Sequence, residues 1–328
     1  MKLQDFLVKS DCEDGLMKLM GEVIPAAIKK IKTAIENQAG EFAGSKNVYD
    51  EHQLALGLQA NKIILDELKK SGLVSFAASE EMEEPAILRQ AQNDMFAVVF
   101  DPLDGSSLVD VNFAVGSIFG LYKGGNPVGK TGDDQVAACY AVYGPHTTLV
   151  LTVKKGTHEF RLNCERTARA RRPTEHLALP VGGRPSLKKE DGHFYLTKEN
   201  LKIAPDAKHF APGNLRAAAE REEYLKLTNE WIKKGLTLRY SGGMVPDINH
   251  IILKGNGIFT YPGYSKAPQG KLRLLFECNP MALLVEQADG AATDSKTRIL
   301  SEKIEELHQR TPIYIGSKNE VQNAGNSL

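Results

Sequence analysis

Residues 97–107, Ala-Val-Val-Phe-Asp-Pro-Leu-Asp-Gly-Ser-Ser, restrict the fold more than any other part of the chain. The apolar run Ala97–Phe100 suits a buried strand. Asp101 closes that strand, and Pro102 ends its ladder because proline has no N–H. Asp104 follows three residues after Asp101, on a turn that Gly105 allows to fold tightly. Two carboxylates at one strand end repel each other unless a cation lies between them. An all-oxygen site of this kind suits Mg²⁺ or Mn²⁺. Gly105, Ser106 and Ser107 add consecutive backbone N–H groups and two hydroxyls, a nest for an anion. Cation and anion sites in one turn imply phosphate chemistry. A bare Asp-x-x-Asp-Gly reads more often as an acidic Asx turn; the full string is more specific.

At 328 residues the chain is long enough for about two domains. Its formal net charge of zero gives no global attraction to nucleic acid or to an acidic membrane. No apolar run approaches the ~18 residues of a membrane span. Met1–Ser10 carries Asp5 and lacks the apolar centre of a secretory signal, and it is not Arg- and Ser-rich like a transit peptide. Cys12, Cys139, Cys164 and Cys278 show no metal or redox spacing and read as reduced thiols, so the expected compartment is cytoplasmic. The terminal Asn326-Ser327-Leu328 is a degenerate relative of a peroxisomal address, a weaker alternative.

Apolar spacing predicts a helix from Asp14, as cap, to about Gln38, kinked at Pro25. A second helix is predicted over about Asp50–Ser71, burying Leu54, Leu58, Ile64, Leu65 and Leu68. Strands are expected at Phe76–Ala78, Val115–Tyr122 and Thr147–Val153, with a helix at Asp133–Val142. Glu165–Gly192 is rich in Arg, Lys, Pro and Gly, lacks periodicity, and reads as an insertion or linker. Beyond it the pattern predicts a helix over about Leu215–Lys234 and strands at Leu236–Tyr240, Ile258–Tyr261 and Leu272–Phe276. A helix over about Pro280–Ala288 and a strand at Ile313–Ile315 follow. The expected organisation is an N-terminal α/β domain (1–164), the variable segment (165–192) and a C-terminal α/β domain (193–328), with a site between them.

Glu80 and Glu81 fall at the end of one predicted strand and Glu277 at the end of another. Ligands of open α/β folds bind beyond strand C-termini. Glu80, Asp101, Asp104 and Glu277 suffice for two metal ions about 4 Å apart, leaving Glu81 as a candidate general base. A competing pattern, Gly-Gly-Asn-Pro-Val-Gly-Lys-Thr at Gly124–Thr131, matches a phosphate-binding P-loop. Its helix would start after the Gly-Lys-Thr instead of at it, and Asp133 and Asp134 would repel a nucleotide.

The central string resembles the signature of the Mg²⁺-dependent sugar phosphatases that include fructose-1,6-bisphosphatase and inositol monophosphatase. The likeness to the fructose-1,6-bisphosphatase class 1 family runs over nearly the whole chain except Glu165–Gly192. Gly156–Phe160, Ala211–Ala217 and Leu238–Asp247 are similar to the sedoheptulose-1,7-bisphosphatase branch. In that branch Gly243 replaces a serine, which reads as room for a longer ketose. The resemblance implies the sugar phosphatase fold, a layered α-β-α-β-α sandwich of two mixed-sheet domains. It implies metal binding, by Mg²⁺ (two or three ions) or Mn²⁺, through Glu51, Glu80, Asp101, the Leu103 carbonyl, Asp104 and Glu277. It implies that Gly105, Ser106 and Ser107 hold the scissile phosphate, and that Asn214, Tyr240, Tyr261 and Lys271 hold the distal one. Arg273 and Gly242, Gly243 and Met244 would meet the sugar. Arg239 would act across the interface of a homodimer.

The departures are equally specific. A family carboxylate six residues after Glu51, which orients the residue matched by Glu81, falls on Gly57. The family's inhibitory AMP site is not reproduced: Asp11–Gly15 replaces its turn, Met95-Phe96 its Lys-Tyr pair and Asp133 its arginine. No cysteine lies in Gln38–Gly44, where plastid members carry a redox pair. The expected reaction is removal of the 1-phosphate of a ketose bisphosphate, with Glu80, Glu81 and Asp104 at the chemistry. Sedoheptulose 1,7-bisphosphate is the first substrate and fructose 1,6-bisphosphate the alternative. A weakly active phosphosugar-binding protein is the reading Gly57 would favour.

Overall fold

Phe96–Asp104 is buried along its whole length, on both faces. That pattern places it at the centre of a sheet covered on two sides. The structure, a computed structural model, describes residues 1–38, 49–90, 95–162 and 192–328, with the side chains of residue 38 and residues 49–54 outside that description. Four helices come first: α1 (Leu3–Lys9), α2 (Asp14–Lys18), α3 (Ile24–Gln38) and α4 (Tyr49–Ser71). Strands follow: β1 (Val74–Ser79), β2 (Ala86–Ile87), β3 (Phe96–Asp104), β4 (Val115–Lys123), β5 (Gln135–Tyr143), β6 (Thr147–Thr152), β7 (His158–Leu162) and β8 (Phe194–Lys198). They form one sheet in the order β2-β1-β3-β4-β5-β6-β7-β8, antiparallel except for the parallel pair β1–β3.

A second sheet has the order β10-β9-β11-β13-β12, from β9 (His209–Pro212), β10 (Thr237–Leu238), β11 (Ile258–Tyr261), β12 (Ala291–Thr293) and β13 (Ile313–Gly316). Its helices are α5 (Glu222–Lys233), α6 (Met244–Lys254), α7 (Asn279–Gln287) and α8 (Lys318–Ser327). Alternate strand residues sort the layers. Val98 and Phe100 of β3 pack with Leu7, Ile28 and Ile64 of the first helices. Ala97 and Val99 face Ile248 of α6 and Leu284 of α7, which also meet Phe259 and Ile315 of the second sheet. The far side of that sheet, through Phe210, Ile258 and Tyr314, packs on Trp231 of α5 and Val321 of α8. The result is the five-layer α-β-α-β-α sandwich of two mixed sheets.

Several expectations change. Asp133–Val142 is strand β5, entered by a short 3₁₀ turn at Gly132–Asp134, not a helix. Its alanines read as helical, but it runs between β4 and β6 and is buried on both faces, so alternation is lost. Leu272–Phe276 is not a strand: Leu274–Cys278 is a π-helical turn continuing into α7. The helix expected over Leu215–Lys234 is a 3₁₀ turn, Leu215–Ala219, followed by α5, and the strand at Leu236–Tyr240 shrinks to β10. Asp14 is the first residue of α2, not its cap. Leu58 is exposed on α4, where Leu56, Ala60, Ile64 and Leu68 make the buried face. At Pro25 the chain has a π-helical turn, Leu19–Val23, between α2 and α3; the wider turn accommodates the ring and the missing N–H. Residues 163–191, and residues 39–44 of the segment where a redox cysteine pair would lie, are outside the described residues.

Candidate active site

The site begins where the β3 ladder slips. Asp101 pairs opposite Ile118, but the next pair is Asp104 with Gly116, because Pro102 cannot donate. The Ser117 hydroxyl donates to the Pro102 carbonyl at 2.7 Å, and the Leu103 N–H donates to Asp101 Oδ1 at 2.9 Å. The Asx turn is thus present, and it holds one carboxylate of a larger cluster. Gly105 is left-handed at φ +76° and starts the 3₁₀ turn Ser106–Leu108. The Ser106 and Ser107 N–H groups open that turn and have no partner within it.

Asp101, Asp104 and Glu277 each present an oxygen, and these atoms lie within 4.8 Å of one another. The long-range partners are supplied by helix starts. Asp104 accepts from the Val245 N–H at 2.6 Å and the Met244 N–H at 3.3 Å, at the positive end of α6. Glu277 rides on the π-helical turn before α7 and accepts from the Arg273 N–H at 2.6 Å. Burial raises the Asp101 carboxyl well above the usual range, and Asp104 and Glu277 push it further. Burial lifts Asp104 to about 6 against the opposing α6 amides. Burial lifts Glu277 to about 8, with Asp104 adding to it. Three buried, mutually repelling oxygen ligands fit a hard divalent cation that would remove the repulsion.

Glu80 raises all three electrostatically, but its carboxylate is turned to Arg273 Nη1 in an ion pair. Glu81 follows it, half-buried, its carboxyl raised by burial first and then by Glu80. A Cβ at Gly57 would stand 2.8 Å from Glu81 Oε1, so the position that departs from the family pattern directly faces the candidate base. The Glu51 side chain lies outside the described residues.

The remaining expected residues separate into groups. Tyr240, Tyr261 and Arg216 feel one another and lie near Asp104 and Asp247. Asn214 is buried, donating to the Pro262 carbonyl at 3.0 Å while its Oδ1 has no partner among the described residues. Lys271 and Arg239 are exposed. Gly242 and Gly243 pack on Leu108, which also touches the Gly105 turn. A Cβ at Gly243 would meet Leu108 and Pro246 at 3.2 Å, so the space there is filled by protein and is not room for a longer sugar. Gly156–Phe160 also belongs to the scaffold: Thr157 Oγ1 donates to the Leu284 carbonyl at 2.7 Å, and His158 packs on Phe6.

Leu108, Ser117, Asp247 and His308 carry no role in the sequence reading. Asp247 is buried and accepts from the Ser241 N–H at 2.8 Å, fixing the Ser241–Gly243 loop; burial pushes its carboxyl up to about 7. Its place four residues after Gly243 was the available signal. The P-loop pattern is spent on packing: the Gly129 N–H donates to the Ile304 carbonyl at 2.7 Å, and the Thr131 N–H to Asp134 at 2.8 Å. At the position of the AMP site, Phe96 is buried against Gly15, and Asp133 is held by Arg298 through two hydrogen bonds of 2.6 and 2.9 Å.

A carboxylate cluster joined through one turn to an anion nest defines a cation-assisted phosphate-ester hydrolase. Residues 7–168 match the family profile described as "Fructose-1-6-bisphosphatase, N-terminal domain" and residues 203–328 that described as "Fructose-1-6-bisphosphatase, C-terminal domain". The chain is 43% identical over 98% of its length to the fructose-1,6-bisphosphatase class 1 of Geobacter sulfurreducens, covering 94% of that protein. It is 39% identical over 97% of its length to a chloroplastic sedoheptulose-1,7-bisphosphatase of Triticum aestivum, covering 74% of that protein. Among solved structures, a Leishmania major fructose-1,6-bisphosphatase superposes with a TM-score of 0.80 at 31% identity, over 99% of this chain and 98% of that one. A Toxoplasma gondii structure titled as a putative sedoheptulose-1,7 bisphosphatase does so with a TM-score of 0.81 at 28% identity, over 100% and 98%. The chain belongs to the fructose-1,6-bisphosphatase family, whose members are sugar bisphosphatases, and is an enzyme of the phosphoric monoester hydrolase class.

Proposed function

We propose that this enzyme removes the 1-phosphate of fructose 1,6-bisphosphate with Mg²⁺, or Mn²⁺ in its place, in a cytoplasm-type compartment. The observation that carries the reading is the meeting of Asp101, Asp104 and Glu277 beside the Gly105–Ser107 turn. Asp101, Asp104, Glu277, Glu80 and the Leu103 carbonyl would hold roughly two or three ions, with Glu51 as a further ligand. Bound there, the cations supply Lewis-acid stabilisation of the phosphoryl oxygens and of the departing sugar alkoxide. Glu81 accepts the proton of the attacking water at a carboxylate oxygen, and its raised pKa suits that task. Water adds in line to phosphorus as the bond from phosphorus to the sugar oxygen breaks.

Gly105, Ser106 and Ser107 hold the scissile phosphate, and Asn214, Tyr240, Tyr261 and Lys271 the distal one. Arg273 and Gly242–Met244 meet the sugar. The N-terminal unit (1–164) thus supplies most metal ligands and the C-terminal unit (193–328) the sugar site. Leu238 and Tyr240, which flank Arg239 in the chain, have exposed side chains, which favours a homodimer with Arg239 reaching the partner's site.

Sedoheptulose 1,7-bisphosphate is the second reading. It is favoured by the wheat relative, while Gly243 no longer supports it. The test is phosphate release from a panel of sugar bisphosphates and monophosphates, with Mg²⁺ and with EDTA, on the native enzyme and Asp104→Ala. The expected outcome is turnover of both ketose bisphosphates, a higher kcat/KM for fructose 1,6-bisphosphate, and loss in EDTA and in Asp104→Ala. Turnover surviving EDTA refutes the mechanism, and preference for a monophosphate refutes the substrate class.

A further inference from the structure

His308 comes from the loop before β13, far in sequence from every carboxylate of the site, yet it joins two of the site's turns. Its Nδ1 lies 3.2 Å from Arg273 Nε, and its Nε2 lies 2.8 Å from the Met82 carbonyl, two residues after Glu80. Its ring packs on Phe276, in the turn that carries Glu277, at a centroid distance of 5.2 Å. The neighbouring Gln309 carbonyl accepts from the Leu274 N–H at 2.8 Å, so the loop is fastened to the same turn through the backbone.

The chemistry of the two partners fixes the imidazole. A guanidinium Nε–H can only donate, and a carbonyl can only accept. His308 must therefore be neutral, with Nδ1 bare and the proton on Nε2. Arg273 itself spans the acidic centre: its Nη1 pairs with Glu80 and its backbone N–H with Glu277. With Nε taken by His308, the guanidinium plane has one orientation. Lysine could not accept from Arg273, and an aliphatic side chain would leave Nε–H free to rotate toward the carboxylates.

We infer that His308 is a positioning residue of the active site, fixing the plane of the Arg273 guanidinium beside Glu80, from which it meets the sugar. The inference rests on the reading of Arg273 as a substrate-facing cation. Asparagine at 308 sets its amide oxygen at the Nδ1 position, where it accepts from Arg273, whereas glutamine sets its amide nitrogen at the Nε2 position, where it donates to Met82.

Steady-state kinetics with fructose 1,6-bisphosphate at saturating Mg²⁺ on the native enzyme, His308→Ala, His308→Asn, His308→Gln, Arg273→Ala and the double variant Arg273→Ala/His308→Ala test it. His308→Ala and His308→Gln are expected to raise KM about tenfold, the worth of a hydrogen bond to a charged group, with kcat within about twofold. His308→Asn is expected to restore KM to within about threefold of native, and the double variant to match Arg273→Ala. Nitrogen-15 NMR of the histidines should show the neutral Nε2–H form at 308. This readout needs no turnover and stands even if His308→Ala fails to fold. An unchanged KM in His308→Ala, a double variant worse than Arg273→Ala, or an Nδ1–H tautomer overturns the inference. An unchanged KM in Arg273→Ala overturns the reading of Arg273 and the inference with it. Absence of sugar bisphosphate turnover in the native enzyme overturns the proposed function and the substrate-facing role of Arg273, while an Nε2–H tautomer would still show that His308 holds the Arg273 guanidinium.

Discussion

At position 57 a glycine leaves its face of α4 bare, and Glu81 Oε1 occupies the space a side chain would need, 2.8 Å from where Cβ would be. Among the described residues, the hydrogen bond that holds Glu81 is the one its backbone N–H donates to the Ser79 hydroxyl at 3.3 Å. A general base is worth about 10²–10⁴-fold when correctly placed. Gly57→Asp restores a group that can share a proton with Glu81, at the cost of displacing the flexible end of the Glu81 side chain. The expected result is a kcat raised about tenfold with KM little changed, as for an interaction made in the transition state. Gly57→Ala serves as the control: it displaces Glu81 without orienting it and should give no gain, while stabilising the helix by about 1 kcal/mol. Steady-state rates and thermal melts on the two variants decide it; an equal gain in both would show that backbone stiffening, and not the carboxylate, is responsible.

Between single residues and the whole chain, the decisive contact is that of α6 with β4. A Cβ on Gly116 would lie 2.3 Å from Val245 Cγ1 and 2.6 Å from the Ala141 carbonyl, so only glycine lets the helix approach. That approach brings the Val245 and Met244 N–H groups onto Asp104. Gly116→Ala should destabilise the fold by about 2 kcal/mol through overpacking. It should also raise the concentration of Mg²⁺ needed for half-maximal activity, since Asp104 moves relative to Asp101. A denaturant melt and a Mg²⁺ titration check the two effects separately. Normal stability would mean that α6 slides without cost, contrary to the close packing of Val245 and Ile248 in the central layer.

For the molecule as a whole, the carboxylate cluster makes stability depend on pH in a direction opposite to ordinary acid denaturation. Asp104 at about 6 and Glu277 at about 8 hold protons in the folded state that they would lose when unfolded. Asp101, also raised, adds to this. The folded metal-free protein therefore binds more protons than the unfolded chain between pH ~4 and ~8, and its stability falls as pH rises through that window. Asp247 and Glu302, each at about 7, contribute with the same sign. Glu81 and Glu286, both raised by burial, share that sign, whereas His250, lowered by burial and then by His209, works the other way. Asp133, held low by Arg298, keeps its contribution until the pH drops below ~4. In EDTA, Tm should fall from pH 5 to pH 8, and added Mg²⁺ should raise Tm more at pH 8 than at pH 5, because it binds the deprotonated cluster. A Tm in EDTA that is flat or rising across this range would show that the carboxylates do not repel in the folded state.

Local chemistry determined a good deal before any fold was known. The Asp101–Asp104 spacing and the Gly105 turn are properties of neighbouring residues, and the short range of backbone sterics makes them legible in sequence; Pro102 does not end the strand as expected but shifts its register, and the strand runs on to Asp104. The strand cores Phe76–Ala78, Ala97–Phe100 and Val115–Tyr122 were legible as apolar runs bounded by turns, within the longer strands Val74–Ser79, Phe96–Asp104 and Val115–Lys123. The tertiary structure alone decided that Asp133–Val142 is a strand, since an alanine-rich run buried on both faces carries no periodicity to distinguish sheet from helix. It alone placed Glu277 on a π-helical turn and filled the space at Gly243 with Leu108 and Pro246. It alone gave His308 its two partners, 35 and 226 residues away along the chain. Such contacts depend on how layers stack and how closely helices approach sheets, quantities set by the volumes of many side chains at once, which no single stretch of sequence encodes.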